Sequence, residues 1–183
     1  RLAAAGVRVP KPFNYSDGVL LMELVADEHG AAAPRLNDVQ FTAEQAGELH
    51  AMLIREVVLM LVAGVVHGDL SEFNVLLAMD GPVIIDLPQA VDAAGNNHAS
   101  RMLLRDVANL RNFFGRFAPA LLASDYGPEM WDLYLRGELR PETALSGKFE
   151  RTPATVDLVA VMREVDDAMA EEKERRRRLQ ILA

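Results

Sequence analysis

The sequence predicts an α+β fold in which helices dominate, and three observations carry that expectation. Apolar residues recur at helical spacing over residues 42–63 and again over 98–117. Between those stretches lie two short apolar runs, Val75-Leu76-Leu77 and Val83-Ile84-Ile85, joined by the turn-forming Asp80-Gly81-Pro82. The residues with chemical capacity gather at the ends of these short runs, in His67-Gly68-Asp69 and at Asn74 and Asp86.

Taken in order, residues 1–5 read as the tail of a helix, stopped by Gly6 and by Pro10 and Pro12. Residues 19–25 form an apolar run that reads as a buried strand, and 26–39 a loop carrying Gly30 and Pro34. Thr42-Ala43-Glu44-Gln45 is a capping box, with the threonine as N-cap and Gln45 reaching back. The helix it opens runs to about Ala63 on a stripe of Ala46, Leu49, Leu53, Val57 and Leu61. His50 lies on or near that stripe; without a spaced partner it reads as a packed histidine, not a metal ligand. A second helix over 98–117 buries Leu103, Val107, Leu110 and Phe114, and its aromatics read as core. Residues 128–135 fit a shorter helix that buries Trp131 and Leu135 and ends at Gly137. Thr152-Pro153 starts a last helix with proline at its tolerated first position. The arginines at 175–178 read as a solvated helix end suited to the carboxyl-terminal dipole, in preference to a docking patch for RNA or acidic partners.

Composition bounds the function. Half of the 183 residues are hydrophobic, enough for one core and part of a second lobe. A net charge of −8 argues against broad binding to nucleic acid or a membrane surface. No cysteine occurs, so neither a disulfide framework nor a thiolate metal site is expected. No uncharged apolar run reaches the ~18 residues of a membrane span. The first residues carry no signal-peptide pattern, and a cytoplasmic location is the expectation.

The chemistry resides in one segment. Asp69 is followed five positions later by Asn74, and twelve positions after that by Asp86 at the end of an apolar run. Protein kinases place the same types in H-R-D-x-x-x-x-N and D-F-G. Here Gly68 replaces the arginine and Asp86-Leu87-Pro88 replaces D-F-G. Asp69 is the candidate to accept or orient the proton of an attacking hydroxyl or water. Asn74 and Asp86 offer a neutral and an anionic oxygen, hard ligands suited to Mg²⁺, with Mn²⁺ as an alternative. Asp69 and Asn74 alone could be turn formers; the preceding His-Gly and the strand ending in Asp86 have no place in that reading. His67 reads as a packed residue bonded to backbone.

These residues resemble the RIO family of atypical protein kinases. The likeness rests on Val66-His67-Gly68-Asp69-Leu70-Ser71-Glu72-Phe73-Asn74, on Ile85-Asp86-Leu87-Pro88-Gln89-Ala90-Val91, and on Arg105-Asp106-Val107 leading to Asn112-Phe113-Phe114. The Ala5 to Pro12 and Leu20 to Val25 stretches and Ala33-Pro34-Arg35-Leu36 add to it. The resemblance implies a protein-kinase-like fold: residues 1–25 as a remnant of the N-terminal lobe with its hinge strand, and 26–183 as the helical C-terminal lobe. It implies Asp69 as catalytic aspartate, Asn74 and Asp86 as metal ligands, Met22 as gatekeeper, and Glu23 and Val25 as hinge positions whose backbone meets adenine. By analogy with kinases, Asp106 would cap or brace the catalytic loop. ATP would be the phosphate donor, protein serine or water the acceptor, and ribosomal association an implied partnership.

No A-P-E segment follows Asp86, so a long peptide-docking activation segment is not expected, and the missing arginine beside Asp69 agrees. Neither a glycine-rich phosphate loop nor a V-A-I-K lysine occurs; Lys11 sits in a Pro-x-Pro context. By itself this chain is therefore expected to bind nucleotide poorly. Two other readings stand: a small-molecule phosphotransferase of the aminoglycoside or choline kinase type, and a kinase-like binding module without turnover. Ser71-Glu72-Phe73 and Leu87-Pro88-Gln89 point away from the first, and the absent loop and lysine support the second.

Overall fold

Thr42 opens helix α1 (Ala43–Val62) through the reciprocal cap expected of it. Its hydroxyl accepts from the Gln45 N–H at 3.2 Å, and its own N–H donates to the Gln45 side chain at 3.0 Å. The anticipated stripe is buried at Ala46, Leu53, Val57 and Leu61, with Leu49 half-buried at its edge. Ile54, Val58 and Met60 are buried as well, because α1 packs on both α2 (Ala99–Gly115) and α3 (Tyr126–Leu135) and on short strands below them. Leu103, Val107, Leu110 and Phe114 form the buried face of α2 as its periodicity requires. Phe41, Phe113 and Phe117 meet edge to face around it, so these aromatics are core.

The computed structural model describes residues 1–27 and 29–149, and Arg1–Phe149 forms one compact unit. The helix expected from Thr152 and the arginine run at 175–178 lie outside the described residues. Ala3–Ala5 form a 3₁₀ turn closed by Gly6, in keeping with the expected helix tail. Among the described residues the strands make three two-stranded antiparallel sheets. Strand β1 (Pro12–Ser16) pairs with β2 (Val19–Met22), and β3 (Val65–Val66) with β6 (Val91–Asp92). Strand β4 (Val75–Ala78) pairs with β5 (Gly81–Ile84), the hairpin expected from the two apolar runs. No helix among the described residues is long and apolar enough to cross a membrane.

Three local expectations change. The run at 19–25 is a strand only to Met22, and it is exposed: Val19, Leu21 and Leu24 keep 60–68% of their surface. Its partner is β1, reached through Asp17-Gly18 with both φ angles positive, the geometry that matches hairpin twist. No described element covers either face of this two-stranded sheet. Helix α3 starts two residues earlier than expected and turns Gly127 and Met130 inward. Leu135 is thereby exposed and Trp131 half-buried against Tyr134. The β4–β5 turn is Met79-Asp80, and Pro82 lies within β5 opposite Leu77, so the turn sits one residue earlier than its proline suggested.

His50 is packed, as expected, with its ring 5.8 Å from both Phe114 and Tyr126. Its Nε2 has no hydrogen-bond partner among the described residues, and burial lowers its pKa to about 4. In the unfolded chain the imidazole takes up its proton near pH 6.5. Between pH 6.5 and 4 the unfolded state therefore binds the proton and the folded state does not, so stability falls as pH falls. Urea unfolding across this window should show the wild type losing up to about 3 kcal/mol relative to His50→Phe.

Candidate active site

Helix α1 stops at Val62, and Gly64, at φ +71°, turns the chain back into β3. Because β3 pairs with β6 in the register Val65↔Asp92 and Val66↔Val91, the loop after β3 and the loop before β6 leave the ladder side by side. The first of these loops, residues 67–74, holds Asp69 and Asn74; the second, residues 85–90, holds Asp86. His67 bridges them. It is buried, its Nε2 donates to the Ile85 carbonyl at 3.0 Å, and its Nδ1 accepts from the Asp69 N–H at 3.3 Å. This is the packed, backbone-bonded role its context suggested.

Beneath the loop lies the polar face of α2. Asp106 is buried and accepts from the Gly68 N–H at 2.8 Å and the Leu70 N–H at 3.0 Å, one bond on each side of Asp69. The kinase analogy for Asp106 therefore holds in the geometry. Burial pushes its carboxyl above the ordinary carboxylate range, while the two N–H groups and the Arg105 charge pull the other way. Arg105 donates to the Gly68 carbonyl, and Asn109 donates to the Leu70 carbonyl at 3.0 Å. Asn109 had not been singled out in the sequence. Its signal is present all the same: with Asp106 it forms a polar i, i+3 pair on a helix whose inward positions from Leu103 to Phe114 are otherwise apolar.

The side-chain N–H of Asn74 donates to the Asp69 carbonyl at 2.8 Å, and its backbone carbonyl accepts from the Ile85 N–H at 3.0 Å. These bonds bring the Asp69, Asn74 and Asp86 segments together. They also leave the amide oxygen of Asn74 as that side chain's remaining ligand. Asp86 is exposed and sits at φ +64°, a left-handed conformation that aspartate tolerates better than most residues. Among the described residues no group of three or more His, Cys, Asp or Glu could hold a metal. Asn74 and Asp86 each carry an oxygen of the kind a hard divalent cation could take alongside water and phosphate oxygens.

The hinge candidates lie elsewhere. Met22 ends β2 and is 49% exposed. Glu23 is exposed; its N–H donates to the Lys11 carbonyl at 2.9 Å and its carboxylate accepts from the Lys11 N–H at 3.1 Å. Val25 is buried with Ala33 and Val83, and its carbonyl accepts from the Ala33 N–H at 2.9 Å. Leu76 and Ala78 pack on the same small cluster, which joins the hinge side to the β4–β5 hairpin.

Residues 1–126 match the family model described as RIO domain. The chain is 32% identical over 162 residues to Serine/threonine-protein kinase rio1 of Schizosaccharomyces pombe, covering 85% of this chain and 31% of that protein. It is 43% identical over 117 residues to RIO-type serine/threonine-protein kinase Rio1 of Haloferax volcanii, covering 63% of this chain and 39% of that one. To Serine/threonine-protein kinase RIO1 of Homo sapiens it is 36% identical over 123 residues, covering 67% of this chain and 21% of the relative. The chain thus spans less than two-fifths of the length of these relatives.

Removing the brace should register in the loop before anything else. Asp106→Ala leaves the Gly68 and Leu70 N–H groups without their acceptor, a loss of about 2–4 kcal/mol at roughly 1–3 for each stranded donor, offset in part by relieved burial of charge. Denaturant unfolding should give the global loss, and amide exchange should show Gly68 and Leu70 losing protection ahead of the α1–α2 core.

Proposed function

Since the chain belongs to the RIO domain family, with its protein-kinase-like fold, we propose that its site transfers the γ-phosphate of ATP to a protein serine, or to water as an ATPase. The observation that carries this reading is the pair of bonds by which Asp106 fixes the backbone on both sides of Asp69, together with the Asn74 bond to the Asp69 carbonyl. Asp69 is thereby held as a solvent-reachable carboxylate on a rigid loop, the arrangement a proton acceptor needs toward an incoming hydroxyl. Asn74 and Asp86 would hold Mg²⁺, or Mn²⁺ in its place. When bound, such an ion neutralises charge on the phosphate oxygens.

On the nucleotide side, the hydrogen bonds among the described residues use the N–H of Glu23 and the carbonyl of Val25. The carbonyl of Glu23 and the N–H of Val25 are the groups this reading assigns to the adenine edge, with Met22 beside them. Residues 1–25 would then be the remnant of the N-terminal lobe with its hinge, and 26–183 the C-terminal lobe. A protein acceptor is supported by the names of the serine/threonine-protein kinases to which the chain is similar. A ribosomal partner and a cytoplasmic site of action belong to the same proposal.

The test uses the full-length protein that contains this chain, with ATP labelled at the γ-phosphate. Asp69→Asn and Asp86→Ala should each lower transfer by at least ~100-fold, because both remove charge at the reacting phosphate. Thermal unfolding should stay near wild type for Asp69→Asn and drop by about 1 kcal/mol for Asp86→Ala, since alanine tolerates φ +64° less well. Wild-type-like transfer in either variant sinks the assignment. Labelled aminoglycoside or choline, with neither labelled protein nor released phosphate, would replace it with a small-molecule phosphotransferase.

A further inference from the structure

Outside the network around Asp69, one buried carboxylate has no part in the proposed chemistry. Glu56 sits on α1, retains 7% of its surface, and lies within a helix whose neighbouring Leu53, Val57 and Met60 are apolar core. Burying a carboxylate among such residues is costly unless a donor meets it. Here the donor is not a charged side chain but the backbone N–H of Arg8, at 2.7 Å. Burial pushes the Glu56 carboxyl up, against the pull of that N–H and of the Arg8 and Arg55 charges.

Arg8 is the hub of the arrangement. Its backbone carbonyl accepts from the Ile84 N–H at 2.9 Å, at the last residue of β5. Its guanidinium donates to the Asp80 carbonyl at 2.6 Å and pairs with the Asp80 carboxylate in the β4–β5 turn. That guanidinium holds the Asp80 carboxyl below the usual carboxylate range. A single residue therefore grips both ends of β5, and Glu56 ties that residue to α1. Ile84 pairs in register with Val75, so the gripped end of the hairpin is the one that carries Asn74 and Asp86. In the other direction, Arg8 precedes β1 by four residues, and Pro12 of β1 pairs with Met22.

We propose that Glu56 and Arg8 are positioning residues for the cation-binding pair. They clamp the segment leading to the hinge against β5, and so set the spacing between Asn74, Asp86 and the hinge. The inference rests on the phosphoryl-transfer reading only for its metal; the clamp itself is a matter of the bonds that join Glu56, Arg8, Ile84 and Asp80. Neither residue touches substrate or ion.

The experiment compares wild type, Glu56→Leu and Glu56→Gln in the full-length protein by two readouts. The first is amide exchange at Ile84, with Leu110 in the core as reference. Glu56→Leu should speed exchange at Ile84 by ~10-fold or more with Leu110 unchanged, as local opening does, and Glu56→Gln, which keeps an acceptor oxygen, should restore protection. The second is Mn²⁺ titration in the presence of ADP, followed by electron paramagnetic resonance. Glu56→Leu should weaken Mn²⁺ binding by ~10-fold, the scale seen when the support of a metal ligand is removed, again with rescue by Gln. A purely structural carboxylate would lower the unfolding midpoint and leave Mn²⁺ affinity where it was, and that result overturns the proposal. So does unchanged exchange at Ile84 in Glu56→Leu. If the wild type itself fails to bind Mn²⁺ with ADP, the phosphoryl-transfer reading falls and the positioning role falls with it; the exchange data then report only whether the clamp exists.

Discussion

A loop without regular pairing carries Asp69 and Asn74, and one buried carboxylate under it supplies what secondary structure does not. Residues 67–74 follow a strand of only two residues, so a sheet ladder cannot hold them. Asp106 accepts from the N–H groups on both sides of Asp69, while Arg105 and Asn109 donate to the carbonyls of the same two neighbours. Buried backbone groups need partners, and here all four are supplied from one face of α2. Charge-assisted bonds of this kind are stronger than neutral ones, which suits a loop that must keep its shape when a charged ligand arrives.

From that brace the order spreads sideways. His67 and Asn74 both reach Ile85, so the second loop is registered against the first through backbone atoms. The groups with functional capacity are spared in the process. Asp69 is half-buried and Asp86 exposed, and the Asn74 side chain spends its amide N–H on the loop while keeping its oxygen. Fixing a site through its backbone leaves its charged atoms poised for a ligand rather than paired with one another, which is the meaning of electrostatic preorganisation. The left-handed backbone at Asp86 fits this picture, since strain persists where the surroundings over-determine it.

The β1–β2 hairpin obeys different rules. Its strands form because Asp17-Gly18 makes a tight turn between Tyr15-Ser16 and the apolar Val19-Leu20-Leu21, not because a core recruits them. Phe13, Tyr15, Val19 and Leu21 all keep more than half of their surface. Such a hairpin has little burial of its own to stabilise it, and its link to the rest of the unit runs through Val25 and Arg8.

Signals confined to a few turns of chain were legible where periodicity or capping carried them, and less so for strand burial, the start of α3 and the β4–β5 turn. Helical periodicity gave α1 and α2, the Thr42-Gln45 box marked the first helix start, and the two apolar runs marked the β4–β5 hairpin. Each of these signals lies within a few turns of chain, where sequence spacing maps directly onto geometry. The exposure of β2, the inward face of α3 and the grip of Arg8 on both ends of β5 were not available in that way. They depend on contacts between residues far apart in sequence, 48 positions in the case of Arg8 and Glu56. Asp106 shows the boundary most clearly. A helix aspartate near the loop was foreseeable by analogy, but the two N–H groups it accepts from lie 38 and 36 residues away. Hydrophobic pattern says which residues turn inward; only the packed chain decides which polar atoms meet there, because a hydrogen bond is satisfied by position in space and not by separation in sequence.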